Sequence, residues 1–171
     1  MNQSNTIYVY MKYIDVILKN EGGYVWDKLD PGGETNMGIT KRDYPDLDIK
    51  NLTQVEAIEI YHTDYWLKMN LDGINDKNLV LQIFDMGVNA GIRTAIKMIQ
   101  RLVDVKADGF IGKESETKIN GYPNYSSSMT SSLTQLYQQE RKKYYCTLAR
   151  RRPELQRFLG GWLSRVDNTK F

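Results

Sequence analysis

The stretch "NEGGYVWDKLDPGGETNMGIT", from Asn20 to Thr40, differs from the rest of the chain in its glycine and acidic content. Glycine lets the backbone turn sharply, and it leaves room for a ligand because it has no side chain. The two Gly-Gly pairs therefore predict a glycine-rich loop, with a short β-hairpin near residues 36–41. Such a loop has three interpretations that the rest of the sequence must separate: a simple turn, a metal-binding loop or an active site.

On both sides of this stretch, apolar residues recur at the spacing of an α-helix. Thr53 and Glu56 form a capping box at the start of one helix, and Asp76 is placed to cap the next. Gly91 is expected to separate two further helices. Helices are predicted over residues 12–20, 52–69, 77–90, 92–103, 133–150 and 153–166. The sequence therefore predicts a mainly α protein with one excursion after the first helix.

The helical pattern also predicts which of the less common side chains are buried. Aromatic residues at helical spacing are expected in the core: Tyr61, Tyr65, Trp66 and Trp162. Cys146 lies inside another helical pattern and is expected to be a small buried hydrophobe rather than a nucleophile. Residues 108–112, "DGFIG", predict a turn held by two buried side chains, Phe110 and Ile111.

Length and composition limit the classes of protein that fit. The 171 residues, 41% hydrophobic and 26% charged, match one globular domain with or without a small appendage. No apolar run reaches the roughly 18 residues of a membrane-spanning helix, and the N-terminus lacks the pattern of a signal peptide. A single cysteine and a single histidine exclude an internal disulfide framework and disfavour a zinc site.

The charge is divided unevenly along the chain. Residues 1–100 contain 10 Lys/Arg and 14 Asp/Glu, whereas residues 101–171 contain 13 and 7. The basic part could follow an anionic polymer such as nucleic acid or a bacterial wall polymer, or it could be only a solvated helix surface. No nucleic-acid-reading motif accompanies the charge, so nucleic acid is not expected as a partner.

Glu21 occupies the position where the first predicted helix ends. The negative end of the helix dipole disfavours an ionised carboxylate there, and partial burial would raise its pKa further. A protonated carboxyl beside an open groove is suited to general acid catalysis of glycosidic cleavage. Asp27 and Asp30 follow closely enough for the loop to return a second carboxylate across the groove.

The same residues also allow other interpretations at this point. Glu-Gly-Gly is common, and it is compatible with a plain helix C-terminus. The Asp spacing of an EF-hand is missing, and no Lys-Ser/Thr pair follows the glycines as in a P-loop. The local chemistry thus favours neither calcium nor nucleotide binding, and it leaves a turn and an active site as alternatives.

Three short blocks in order carry a resemblance to a known family: EGGY at 21–24, DPGG at 30–33 and TNMGIT at 35–40. The similarity continues through YHTDYW, FDMGVNAG, ADGFIG and GWLSRV, at residues 61–66, 84–91, 107–112 and 161–166. The combination resembles glycoside hydrolase family 108, whose members are lysozyme-like N-acetylmuramidases that are also described as secretion activator proteins. It extends over roughly residues 11 to 166, and ADGFIG is similar to an element of peptidoglycan-binding modules.

The resemblance implies a lysozyme-like helical fold, with a catalytic region at residues 1–92 and a peptidoglycan-binding region at 93–171, packed together as one compact unit. It also implies cleavage of the β-1,4 bond between N-acetylmuramic acid and N-acetylglucosamine, with Glu21 as the general acid. Phage-type lysozymes, a related group, place an aspartate nine residues after the glutamate, as Asp30 is here, and then a threonine. Asp30 would orient the attacking water or stabilise the transition state. Thr35 would assist it, although it comes one residue earlier than in that pattern.

Sugar binding usually needs aromatic rings and amides along a groove, and four residues are candidates for it: Tyr24, Asn36, Asp85 and Asn89. Asp85 and Asn89 are four residues apart, so one helix face presents both. Helix capping or an internal hydrogen bond is the alternative role for this pair. No cofactor and no metal are expected.

The expected partner is the glycan strand of peptidoglycan, bound by a monomeric protein that does not insert into the membrane. The site of action would be the bacterial cell wall, reached through a holin, a secretion system or lysis, as for a prophage endolysin. The alternative is a non-catalytic wall-binding or secretion-accessory protein on the same fold. The intact Glu21, Asp30 and glycine loop disfavour that alternative.

Overall fold

The structure is a computed structural model that describes residues 3–20, 23–26, 33–123 and 132–170. Its helices are α1 (Gln3–Asn20), α2 (Gln54–Tyr61), α3 (Leu67–Met69), α4 (Lys77–Ala90), α5 (Ile92–Leu102), α6 (Lys113–Asn120), α7 (Leu133–Arg151) and α8 (Leu159–Asn168). A π-helical turn occupies His62–Trp66, and a 3₁₀ helix occupies Pro153–Phe158. The strands are β1 (Val25–Trp26), β2 (Glu34–Asn36) and β3 (Ile39–Thr40). Within the ranges described, no helix is long and apolar enough to cross a membrane.

The chain divides into two compact units, Met1–Trp66 and Leu67–Phe171. The first unit contains α1, the sheet, α2 and the π-helical turn, and the second contains the remaining helices. The division predicted from the sequence, between residues 92 and 93, follows the family resemblance instead, and it stays a prediction.

The sheet of the first unit is antiparallel, with strand order β1-β2-β3. β2 and β3 are joined by Met37 and Gly38, whose φ angles of 49° and 76° are both positive. Two central residues with positive φ form the tight turn that matches the twist of a hairpin. The hairpin predicted near residues 36–41 is therefore confirmed, whereas β1 was not predicted.

The core of the first unit forms between α1 and the segment that follows α2. Tyr13, Ile14 and Ile17 are buried on one face of α1, as the helical spacing requires. The Tyr13 ring stacks on the Trp66 ring with centroids 5.3 Å apart. Burial of Tyr61 and Trp66 is thus confirmed, while Tyr65 is half-buried.

Two local features of the first unit differ from the predictions. α1 begins at Gln3, about two turns before the predicted start at residue 12. The chain after α2 takes a π-helical turn that apolar periodicity does not indicate. The capping box at the start of α2 is present as predicted, because Thr53 accepts from the Glu56 backbone and Glu56 caps the Thr53 amide in return.

The second unit is built around α4, which packs against α5 and α7. Every residue of α4 from Leu79 to Gly87 is buried. Asp76 caps α4 by accepting from the Leu79 amide at 3.1 Å, and Gly91, with a φ of 90°, separates α4 from α5. These predictions are confirmed. Between α5 and α7, the Tyr137 hydroxyl donates to the Ala95 carbonyl at 3.0 Å.

The turn predicted at residues 108–112 is present, but only one of its two apolar side chains is buried. Ile111 is 5% exposed, whereas Phe110 is 63% exposed and lies under the Arg93 guanidinium at 5.6 Å. Buried Gln100 holds the turn by bonding to the Asp108 carboxylate and to the Gly109 amide, both at 2.9 Å. Hydrogen bonds from Gln100 therefore hold the turn in place of the buried Phe110 side chain that was expected.

Two further predictions of burial are wrong. Cys146 is exposed on α7, and Trp162 is only half-buried. α8 packs chiefly on α7, and this contact leaves most apolar residues of α8 only partly covered. Val166 is the buried residue of α8. The Trp162 ring instead stacks on Tyr145, with centroids 5.2 Å apart. Helical spacing indicated that Trp162 faces other helices, but α7 and the 3₁₀ helix together do not bury it fully.

Candidate active site

Glu21 and Asp30, the two carboxylates predicted to be catalytic, lie outside the described residues, as does Asp27. α1 ends at Asn20, so Glu21 follows the last residue of the helix in the sequence. The roles of Glu21 and Asp30 stay predictions. The described part of the candidate site is the three-stranded sheet, which begins at Val25, four residues after Glu21.

The register of the sheet decides which side chains share a face. Thr35 of β2 pairs with Val25 of β1 and with Thr40 of β3. Residues that face each other across strands project to the same side, and neighbours along a strand project to opposite sides. Thr35 is half-buried and lies on the face opposite to Glu34 and Asn36. The predicted pair of Thr35 and Asn36 is therefore adjacent in sequence but divided between two faces.

Asn36 has a structural role, which corrects its prediction as a sugar ligand. Its side chain is buried, with 8% exposed, and its amide nitrogen donates to the Ile49 carbonyl at 3.1 Å. The adjoining Met37 carbonyl accepts a hydrogen bond from the Tyr61 hydroxyl at 2.9 Å. Buried polar groups need such partners, and these two bonds tie the hairpin to the body of the first unit.

Tyr24 is exposed, as a sugar contact requires, and it lies beside two residues that were not predicted. Its hydroxyl donates to the Glu34 carboxylate at 3.4 Å, a long hydrogen bond. Trp26 pairs directly with Glu34 across the strands and is 59% exposed. We call Tyr24, Trp26 and Glu34 the hairpin cluster. The alternation Tyr24-x-Trp26 was the available indication, since residues two apart on a strand share a face.

The electrostatics of the hairpin cluster favour a neutral Tyr24 phenol. Partial desolvation raises the pKa of Tyr24, and the neighbouring Glu34 carboxylate raises it further, by its charge and by accepting the hydrogen bond. The cluster thus presents two exposed aromatic rings, a hydroxyl and a carboxylate. Sugars offer apolar C–H faces and hydroxyl groups, which are complementary to such a surface.

Asp85 of the second unit is not available to a substrate in this structure, which corrects the second predicted sugar ligand. Its side chain is fully buried and forms ion pairs with Arg141 and Arg165. Arg165 approaches one carboxylate oxygen with two nitrogens, at 2.8 and 2.9 Å. Arg141 binds the other oxygen and also donates to the Gln82 amide oxygen. A buried charge must be paired, and Asp85 is the shared counter-ion of two arginines.

Asn89 lies one turn further along α4 and is exposed. Its amide nitrogen donates to the Asp85 carbonyl at 2.7 Å, which is the internal hydrogen bond considered as the alternative role. The spacing of Asp85 and Asn89 places both on one face of α4, but Asp85 is buried whereas Asn89 is exposed. Among the residues that the structure describes, no group of His, Cys, Asp and Glu side chains is arranged to hold a metal ion.

Comparison with known proteins gives a family match for each half of the chain. Residues 14–91 match the family model of Glycosyl hydrolase 108, and residues 94–167 match that of the Predicted Peptidoglycan domain. The structure is similar to that of Brucella abortus SagA, with a TM-score of 0.75 and 27% sequence identity. That similarity covers 94% of this chain and 90% of the SagA chain. Among curated proteins no match is found.

These matches agree with the observed architecture. The mainly α, lysozyme-like fold with a small sheet after the first helix is confirmed. The matched domains indicate a glycoside hydrolase with a peptidoglycan-related function at the cell wall. The resemblance seen in the sequence is confirmed as well: residues 14–91 match Glycosyl hydrolase 108, and residues 94–167 match the Predicted Peptidoglycan domain.

Proposed function

We propose that the protein is an N-acetylmuramidase, which hydrolyses the β-1,4 bond between N-acetylmuramic acid and N-acetylglucosamine in peptidoglycan. One observation carries the proposal: a glycosyl hydrolase 108 match that includes Glu21, in a chain that continues into a peptidoglycan domain. The position of Glu21 directly after α1 supports it as the acid, because a helix C-terminus disfavours the ionised form of a carboxyl.

In this mechanism Glu21 donates its proton to the glycosidic oxygen as the bond to the anomeric carbon breaks. The bonding electrons pass to that oxygen, and positive charge develops on the sugar ring. Asp30 stabilises this charge or orients the water whose oxygen bonds to the anomeric carbon. The proton that this water loses replaces the one that Glu21 donated, so the acid is restored. Thr35, half-buried on β2, assists through its hydroxyl. The products are a chain that ends in a reducing muramic acid and a chain that begins with N-acetylglucosamine.

The hairpin cluster would bind the glycan on the face of the sheet that carries Glu34, opposite to Thr35. Tyr24 and Trp26 offer rings on which pyranose C–H faces can stack, and the Tyr24 hydroxyl with Glu34 offers hydrogen bonds to sugar hydroxyls. A substrate that must be positioned to within about an ångström benefits from rings carried on a hydrogen-bonded strand pair. Asn89, exposed on α4, stays a separate candidate contact for the second unit.

The decisive experiment compares wild type with Glu21→Gln on purified peptidoglycan, followed by mass analysis of the released muropeptides. New reducing muramic-acid ends are expected from wild type only, with the rate in the variant lowered by roughly 10²–10⁴-fold. Glu59→Gln is the matched control, because Glu59 is an exposed glutamate of the first unit on α2. Equal rates in wild type and Glu21→Gln would remove Glu21 from the mechanism.

The second candidate function is a non-catalytic wall-binding protein, which the peptidoglycan domain favours by itself. Its signature would be retention of wild-type protein on peptidoglycan without release of muropeptides. Glu21→Gln would then behave like wild type in both assays.

The proposed enzyme would reach the wall through a holin, a secretion system or lysis. Fractionation of expressing cells with and without a holin tests whether the holin is the route.

A further inference from the structure

A groove lies between α5 and α7 in the second unit, away from the residues discussed so far on α4. Its volume of about 480 Å³ falls within the range of small-ligand sites, roughly 300–1,000 Å³. α5 lines it with Met98, Arg101 and Leu102, which are three and four residues apart and so share a helix face. The packing of Tyr137 on Ala95 holds the two helices together, so the groove is part of a fixed helix pair.

The opposite wall of the groove comes from one stripe of α7. Tyr144 and Thr147 contribute hydroxyl groups, and Glu140 and Lys143 lie one turn before them. Lys143 and Glu140 form an exposed ion pair at 2.6 Å. Exposed pairs of this kind contribute little to stability, so a ligand carboxylate can compete for Lys143.

Arg101 is the main source of charge in the groove. It is exposed, and the ion pairs found among the described residues do not include Arg101. Residues 101–171, which contribute most of the groove, carry 13 Lys/Arg against 7 Asp/Glu. This excess attracts anions, and a guanidinium binds a carboxylate with two parallel hydrogen bonds.

We propose that this groove binds the peptide stem of peptidoglycan through its carboxylates, an assignment that rests on the proposed action on peptidoglycan. Arg101 takes a carboxylate, with Lys143 as a second cation. The Tyr144 and Thr147 hydroxyls bond to peptide amides, while Met98 and Leu102 contact the methyl groups of alanine.

The composition of the groove favours the peptide over the other polymers of the wall. Glycan strands carry mainly hydroxyl groups and usually stack on exposed aromatic rings, whereas this groove offers aliphatic side chains, one phenol, one threonine hydroxyl, two cations and the Glu140 carboxylate that pairs with Lys143. Phosphate-rich wall polymers would not use the apolar surface of Met98 and Leu102. A short peptide with carboxylates, amides and methyl groups uses all three kinds of contact.

The test is isothermal titration of the full chain with the synthetic tetrapeptide L-Ala-D-Glu-diaminopimelate-D-Ala. Arg101→Gln and Thr147→Glu are each expected to weaken binding by at least about tenfold, the first by removing a cation and the second by placing a carboxylate in the groove. Both residues are exposed, so thermal unfolding should match wild type. The control is Arg150→Gln, which removes an exposed cation of α7 that does not line the groove. It should bind like wild type.

Three outcomes would overturn the proposal. The first is no binding of the tetrapeptide by wild type, and the second is equal binding by all variants. The third is binding of a soluble glycerol phosphate polymer, with the same dependence on Arg101, in place of the tetrapeptide. Muropeptide release measured on the same proteins separates this result from the proposed function. If wild type cleaves peptidoglycan but does not bind the tetrapeptide, only the groove is rejected. If wild type binds the tetrapeptide but does not cleave peptidoglycan, only the muramidase is rejected.

Discussion

The sheet of the first unit and helix α4 of the second unit differ in how far their predicted substrate-binding residues are exposed to solvent. In the sheet of the first unit, Tyr24 before β1 is exposed and Thr35 on β2 is half-buried, so each keeps surface in contact with solvent. On α4, Asp85 has no exposed surface and is bound by two arginines. All three were predicted to act on the substrate, and the structure leaves that role open only on the hairpin.

The difference arises from how many elements cover each segment. The sheet consists of strands of two or three residues. Asn36 ties it to its unit, while Tyr24 and Trp26 at the β1 edge of the sheet stay exposed. α4 packs against both α5 and α7, and its charged side chain is therefore surrounded by protein. A carboxylate in such a place must be paired, and it then contributes to folding rather than to binding.

The largest effect expected from this comparison is on stability. Asp85→Asn removes the buried negative charge that pairs with Arg141 and Arg165, and we expect a loss of about 3–5 kcal/mol in unfolding free energy. Urea denaturation followed by circular dichroism measures it. Asp167→Asn is the control, because Asp167 pairs with Lys142 on the surface and should contribute less than about 1 kcal/mol. Similar losses in both variants would remove the contrast between buried and exposed pairs.

An opposite pattern is expected for the predicted catalytic aspartate of the first unit. Asp30→Asn should lower the rate of muropeptide release on the order of 100-fold. The unfolding free energy should change little, because a group that acts in the transition state need not stabilise the fold. Asp46→Asn, an exposed aspartate of the same unit, should leave the rate unchanged. If Asp30→Asn were fully active, Asp30 would be a turn residue of the DPGG segment and nothing more.

The smallest of these effects tests the hairpin cluster. Trp26→Ala removes an exposed ring, and we expect KM for solubilised glycan to rise about tenfold, or ~1.4 kcal/mol of binding free energy. The stability should change by no more than about 0.5 kcal/mol, as for most surface substitutions. The matched control is Val55→Ala, since Val55 is an exposed apolar residue of the same unit, with 66% exposed against 59% for Trp26. An unchanged KM in Trp26→Ala would show that Trp26 of the hairpin cluster does not contribute to glycan binding.

Much of the secondary structure could be predicted because it depends on neighbouring residues. The capping box of Thr53 and Glu56, the cap at Asp76 and the break at Gly91 are all set within one helical turn. The hairpin turn at residues 37–38 is equally local. Burial was harder to predict, because it depends on which elements arrive from elsewhere in the chain. Trp162 and Cys146 have helical spacing but lie where too few neighbours cover them.

The candidate site shows the same division between local and long-range information. The order of the EGGY, DPGG and TNMGIT blocks was sufficient to identify the family and to nominate Glu21. No feature near Asp85 indicated that Arg141 and Arg165, 56 and 80 residues further along the chain, would bind it. Similarly, Trp26 gained its relation to Tyr24 and Glu34 only from a strand pairing that was not predicted.

The sequence by itself thus indicated the helical class and the family resemblance and nominated Glu21 as the proposed acid, because caps, turns and motifs act over short distances along the chain. Only the tertiary structure decided that Asn36 and Asp85 stabilise the fold while Tyr24, Trp26 and the groove beside Arg101 meet solvent. The physical reason is that the role of a polar side chain depends on whether it is surrounded by water or by protein. That surrounding is assembled from residues far apart in the sequence.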